Sequence, residues 1–281
     1  MHLSLALALT PPASATATTT PPGPAPSGSS FYLTWPYLEP RDILPFLRAR
    51  ARRGDAEAVL RAIDEFAGYY PMFRSGPEKG TLLEAEVQAA APSLTLELGT
   101  FMGYGAIRIA RRLPPGGRLI SLEADAQQAE VARAVVDLAG LGDRVRVVTG
   151  LAAAALPALA AELAAAGGRR QAGLVWLDHC KQCYLPDLKM LEGLGLVGPG
   201  TVVLADNVIV PGAPGYLEYV MPGEEAAQGE AQGAAGDSGA RGRACRWRTR
   251  LVEAAFEVEG YTADWKAQRD AVAVSVCAAA G

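Results

Sequence analysis

The side chains best suited to chemistry end a series of short apolar runs: Glu97, Glu123, Asp178 and the pair Asp206-Asn207. Two aspartates and an asparagine make an all-oxygen ligand set, which suits a hard cation such as Mg²⁺ that keeps part of its water shell. Carboxylates brought to one point repel unless something neutralises them. Asp178, Asp206 and Asn207 therefore read as a cation site if their runs lie side by side; independent strand-end carboxylates are the plainer alternative. Lys181 follows Asp178 by three residues. A hydroxyl held by the cation becomes acidic, and a nearby lysine amine can take its proton. The competing reading of Lys181 is a solvated lysine paired with Asp187 or a surface carboxylate.

Cys180 and Cys183 form a C-x-x-C around the same lysine. Such a motif suggests zinc or a redox pair, and both are disfavoured because there is no second such motif, Cys245 and Cys277 are distant, and only His2 and His179 could add imidazole. Two free, oxidisable thiols beside the site follow instead. With four cysteines in 281 residues the chain is no disulfide scaffold, and a reducing compartment, the cytoplasm, is the expectation.

A second cluster opens with Glu97-Leu98-Gly99 and runs through Gly103 to Gly105. It reads either as a tight strand-to-helix turn or as a place where a ligand approaches the backbone closely. Its G-x-x-x-G-x-G spacing is not the G-x-G-x-x-G that cradles a dinucleotide pyrophosphate, which disfavours a hydride-transfer cofactor. Glu123 stands about 20 residues past the first glycine, where a carboxylate meets ribose hydroxyls in such folds. The combination points to an adenosine cofactor without a pyrophosphate, and S-adenosylmethionine fits.

Holding these residues together requires alternating strands and helices. Strands are predicted over 94–99, 118–123, 144–149, 173–178 and 201–206. Helices are predicted over 104–113, 126–139, 152–166 and 185–196, from apolar residues at helical spacing. Upstream, Asp55 caps a helix bearing Val59, Ile63 and Phe66, and another helix covers 82–90. Alternation of this kind builds a doubly wound parallel sheet whose carboxyl edge binds ligands. Residues 1–30 are rich in Ala, Thr, Pro, Ser and Gly, so positions 1–45 are expected to be a disordered or targeting extension. A single domain then fills 46–281, interrupted by a low-complexity loop insertion at 223–243.

Composition excludes several classes. The 26 basic and 30 acidic residues give a net charge of −4, which disfavours nucleic acid as a partner. No run approaches the about 18 apolar residues of a membrane span. Half of the residues are hydrophobic, enough for a full core. A monomer acting on a small molecule is expected.

The stretches Leu96-Glu97-Leu98-Gly99, Gly103-Tyr104, Asp178-His179 with Lys181, Tyr184-Leu185-Pro186-Asp187 and Leu204-Ala205-Asp206-Asn207-Val208-Ile209-Val210-Pro211-Gly212 resemble the catechol O-methyltransferase family. The resemblance implies an α/β, Rossmann-like seven-stranded methyltransferase sheet with helices on both faces, S-adenosylmethionine as donor, Mg²⁺, and methylation of one hydroxyl of a catechol. By matching position, Asp178, Asp206 and Asn207 would hold the metal and Lys181 would be the general base. Glu123 would bind the ribose, Glu97 and the Gly99 turn the methionine part, and Ser75 a loop contact before it. Gly103, Gly150, Asp178 and His179 would complete the donor set, while Lys181, Asn207 and Asp264 would face the phenolic substrate. The chain departs from the family at Gly105, Ala152 and Ala153, which lack hydroxyl or amide groups for the donor. It departs again at Cys180, Pro71 and Ala263, which replace bulky walls. A wider acceptor pocket follows, and larger ortho-dihydroxy phenolics are the alternative substrates. A catalytically degenerate cofactor-binding protein is the reading from another class.

Overall fold

A computed structural model of the chain describes residues 43–69, 72–167, 170–222, 245–256 and 269–279. The expected extension up to residue 42, the insertion at 223–243, and Pro71, Ala263 and Asp264 lie outside the described residues.

Five strands form the parallel heart of the sheet: β1 (Leu94–Leu98), β2 (Arg118–Glu123), β3 (Val145–Thr149), β4 (Leu174–Leu177) and β5 (Val202–Ala205). β1 and β4 are buried at every position, as befits strands covered by helices on both faces. Two further strands, β6 (Cys245–Ala255) and β7 (Arg269–Ala279), run antiparallel and complete the seven-stranded order β3-β2-β1-β4-β5-β7-β6. The order reverses between β1 and β4, so the ligand crevice opens at their carboxyl ends. β4 and β5 are direct neighbours, as the cation reading of their terminal residues requires.

Helices α1 (Ile43–Arg50), α2 (Ala56–Tyr69) and α3 (Gly76–Ala90) precede the sheet. Then α4 (Tyr104–Ala110), α5 (Ala126–Leu138), α6 (Ala152–Ala165), α7 (Tyr184–Gly193) and α8 (Pro214–Val220) alternate with its strands. Asp55 caps α2 as expected, its carboxylate accepting from the Ala58 N–H at 2.9 Å. Asp125 does the same for α5, accepting from the N–H groups of Gln127 and Gln128. α1 begins at Ile43, three residues ahead of position 46, and buries Ile43, Phe46 and Leu47. α3 begins six residues earlier than its apolar pattern predicts. Gly76, Pro77 and Gly80 break that pattern, yet Gly80 is where the Arg108 guanidinium packs against the helix. The early start places Lys79 on a buried face. No described helix is long and apolar enough to cross a membrane.

The cysteine expectation needs correction. Cys245 and Cys277 are joined in a disulfide, with Cα atoms 5.0 Å apart, whereas Cys180 and Cys183 are free. Four cysteines in a chain of this length called for no disulfide, but the antiparallel register sets Trp247 opposite Cys277 and so brings Cys245 diagonally across the same ladder.

Candidate active site

A cavity of about 660 Å³ opens at the carboxyl edge of the sheet, walled by Ser75, Glu97, Gly99, Glu123 and Gly150 toward β1–β3. Asp178, His179, Lys181 and Asn207 continue its wall from β4 and β5. Most of the residues singled out in the sequence thus face one space. Gly103 is not on its wall. Gly103 initiates α4, its carbonyl accepting from the Ile107 N–H at 3.0 Å, and it packs against α5 beside Ala132.

The cofactor end is built from backbone and two buried acids, Glu97 and Glu123. Gly99 has φ +99°, and a side chain there would collide with the Asp178 backbone, so the exits of β1 and β4 touch because this residue has none. Ser121 stands opposite Glu97 in the β1–β2 register and donates to Glu97 Oε2 at 2.5 Å; Thr100 joins the chain through Ser121. The other oxygen, Glu97 Oε1, is buried and has no hydrogen-bond partner among the described residues. A side chain at Gly105 would collide with that oxygen, so Gly105 leaves its approach open. Burial pushes the Glu97 carboxyl up to about 8, the Ser121 hydroxyl opposes the rise, and the charges of Asp178 and Glu123 add to it. An orphaned acidic oxygen beside a side-chain-free cradle fits a ligand that brings a donor, above all a cationic one.

Glu123 closes the glycine turn as well as the cavity. Its carboxylate accepts from the Phe101 N–H at 2.7 Å and the Asp125 N–H at 3.0 Å. Each oxygen keeps a second lone pair for a ribose hydroxyl. Ser75 precedes α3 and spends no side-chain hydrogen bond on capping it.

The cation end is assembled from four distant segments. Asp206 is buried behind the cavity wall, and its Oδ1 receives the Asn207 N–H at 2.7 Å and the Lys79 ammonium at 2.6 Å. Lys79 also reaches Asp270 Oδ2 at 2.6 Å. Asp270 in turn accepts from the Asn207 side-chain amide at 2.8 Å and from the N–H groups of Ile209 and Val210. Asn207 stands in the left-handed region, φ 55°, a strained position that this bracing holds. Burial and then the charge of Asp178 push the Asp206 carboxyl up to about 6, against the opposing pull of Lys79 and Lys181. Burial alone would depress the Lys79 ammonium, but Asp206 and Asp270 outweigh it and the net shift is upward.

Lys181 follows Asp178 into a short turn and makes two contacts, to Asp178 Oδ1 at 3.1 Å and to the Tyr184 hydroxyl at 2.7 Å. Tyr184 donates to the carbonyls of Leu177 and Asp206, so one buried ring ties the lysine to the ends of β4 and β5. Asp187 does not hold Lys181; it pairs with His179 Nε2 at 2.8 Å. In the same turn the half-buried Cys183 thiol is pushed up to about 11, first by burial and then by its side-chain interaction with Cys180.

The donor set fits a hard cation. Lys181 takes one oxygen of Asp178, Lys79 takes one of Asp206, and Asp270 fixes the amide nitrogen of Asn207. The second oxygens of Asp178 and Asp206 and the Asn207 amide carbonyl are the donors such a cation would take. Two carboxylates and an amide carbonyl of this kind are hard-oxygen chemistry. Lys79, Ser121 and Asp270 carry no motif of their own; only the register and the buried polar contacts expose them.

Comparison with known proteins agrees with this geometry. The O-methyltransferase family model matches residues 57–218, more than half of the 281-residue chain. Catechol O-methyltransferase B of Danio rerio is 45% identical over 182 residues, 64% of this chain and 67% of that protein. Catechol O-methyltransferase of Mus musculus is 41% identical over 179 residues, covering 63% and 66% of the two chains. The chain thus spans about two thirds of the length of these relatives. Among solved structures, the O-methyltransferase from Bacillus cereus in complex with SAH superposes with a TM-score of 0.56 at 25% identity, over 79% of this chain and 90% of that one. By the family match, the identity to these relatives and the shared seven-stranded sheet, the chain belongs to the O-methyltransferase family as a methyltransferase related to the catechol O-methyltransferases.

Proposed function

We propose that the protein transfers a methyl group from S-adenosylmethionine to one hydroxyl of a catechol or catechol-like phenolic, with Mg²⁺ bound by Asp178, Asp206 and Asn207. The observation that carries this reading is the convergence of those three residues at adjacent strand ends, with the Lys181 amine 3.1 Å from Asp178. The sulfonium donor supplies an activated methyl group, and the dication supplies the positive charge that acidifies a phenolic hydroxyl.

The chain does the rest. Lys181 takes the proton from the hydroxyl, held in place by Tyr184 and Asp178. The resulting phenolate oxygen forms a bond to the methyl carbon as the carbon–sulfur bond breaks. Opposite charges cancel in that step, so alignment and exclusion of water contribute much of the acceleration. Glu97 offers its unpaired oxygen to the ammonium of the donor's methionine part, which the Gly99 turn also receives, and Glu123 takes the ribose. Cys180, exposed on the cavity wall where the family places an aromatic ring, favours acceptors larger than a simple catechol.

The test is methyl transfer from S-adenosylmethionine to a graded panel of catechols and larger ortho-dihydroxy phenolics, with Mg²⁺ or with a chelator. Chelator-sensitive transfer is expected, with rates that hold or rise as the acceptor grows. Transfer indifferent to chelator would remove the metal. No transfer despite measurable donor binding would point to a cofactor-binding protein without turnover.

A further inference from the structure

We propose that Cys180 and Cys183 form a reversible dithiol–disulfide site within the active-site cavity, oxidised by low-molecular-weight disulfides, whose closure constrains the turn carrying Lys181 and slows methyl transfer. The chemical part stands on the turn itself; the effect on rate rests on the proposed function.

Both thiols are free and both line the cavity, Cys180 exposed and Cys183 half-buried. They bracket Lys181 and Gln182 in a single hydrogen-bonded turn, in which the Cys183 N–H donates to the Cys180 carbonyl at 2.8 Å. A turn of this type holds its first and fourth Cα atoms within about 7 Å. Disulfides span about 4.4–6.8 Å between Cα atoms. A metal is the weaker occupant: no group of three metal-ligating His, Cys, Asp or Glu side chains occurs among the described residues. Two soft ligands fall short of the about four that a structural zinc requires.

The exchange balances with glutathione disulfide as oxidant. The exposed Cys180 sulfur attacks the disulfide, forming a mixed disulfide and releasing one glutathione. Cys183 then attacks the Cys180 sulfur and releases the second. The two thiol protons leave on the two glutathiones, and the protein loses two hydrogens. The new bond spans Lys181, whose amine must stay registered on Asp178 and Tyr184.

Trypsin makes the test direct, because it cuts after Lys181, between the two cysteines. The folded protein is treated with glutathione disulfide, quenched with N-ethylmaleimide, digested and mapped by mass spectrometry. The expected product is peptide 171–181 joined to peptide 182–189, with methyl transfer reduced several-fold and restored by dithiothreitol. The Cys183→Ser variant should lose the oxidant response relative to its own reduced rate. A response that survives Cys183→Ser would assign the effect to modification of Cys180 alone and overturn the proposal. So would a glutathione adduct persisting on Cys180, unlinked peptides, or a linked pair with unchanged turnover. If no acceptor is methylated at all, the functional reading fails while the peptide map still decides whether the dithiol closes.

Discussion

The two ends of the cavity solve opposite electrostatic problems. The cofactor end buries two acids, and one of them, Glu97, has a hydroxyl partner on one oxygen and none among the described residues on the other. The cation end buries Asp206 and Asp270 and braces both with Lys79. One end stores an unmet acidic oxygen that a cationic ligand can satisfy. The other holds its carboxylates in a charged frame that exists before any ligand arrives, which is how preorganised sites limit reorganisation on binding. A single lysine separates a carboxyl that waits for its counter-ion from one that already has it.

The largest effect falls on the chemistry. Lys181→Ala should lower turnover by about 10²–10⁴ while donor affinity stays within a few-fold, as removal of a general base predicts. Steady-state rates and donor titration read both, and unchanged turnover would take Lys181 out of the mechanism.

Removing the brace should damage the fold rather than one step. Lys79→Met leaves Asp206 and Asp270 buried without their cation, at a cost of about 3–5 kcal/mol. A urea midpoint shift measures it, and Lys79→Arg should recover part of the loss. A near-neutral Lys79→Met would mean that the frame is not electrostatic.

Asp270→Asn tests the bracing from the other side. Asn207 and the N–H groups of Ile209 and Val210 would lose a charged acceptor. Divalent-ion affinity should fall by about 10–100-fold, the usual effect of disturbing a group that orients a metal ligand. Mn²⁺ titration followed by electron paramagnetic resonance reads this without turnover.

The smallest effect sharpens the contrast at the cofactor end. With its carboxyl pushed up to about 8, Glu97 is largely protonated at neutral pH in the free protein. A cationic ligand favours the ionised form, so donor binding should release a proton below that pH. Affinity should then rise with pH toward 8, by at most about tenfold per unit. Calorimetry in buffers of different ionisation enthalpy detects the proton. Glu97→Gln should abolish both the release and the slope, and a slope that persists would place the titrating group elsewhere.

The five parallel strands, the capped helices and the strand-end acids were legible because each is a local pattern: alternation of apolar runs, a cap beside its helix, a glycine turn after a strand. The same locality made Glu97, Gly99 and Glu123 readable as one cluster, since they lie within 27 residues of one another and two adjacent strands carry the acids. β6 and β7 lie beyond the low-complexity stretch and gain their identity from register, with each other and with β5. The Cys245–Cys277 bond escaped notice for the same reason.

The sequence by itself determined which groups could do chemistry and at which edge of the sheet they would arrive, because period and strand order follow from side-chain pattern. Only the tertiary structure decided which of those groups carry a counter-charge. Lys79 and Asp270 are 191 residues apart and neither sits in a motif, yet their carboxylate–ammonium contact fixes Asn207 and faces Asp206. Burial sets the cost of a charge, and burial is a property of the assembled fold rather than of any segment of the chain.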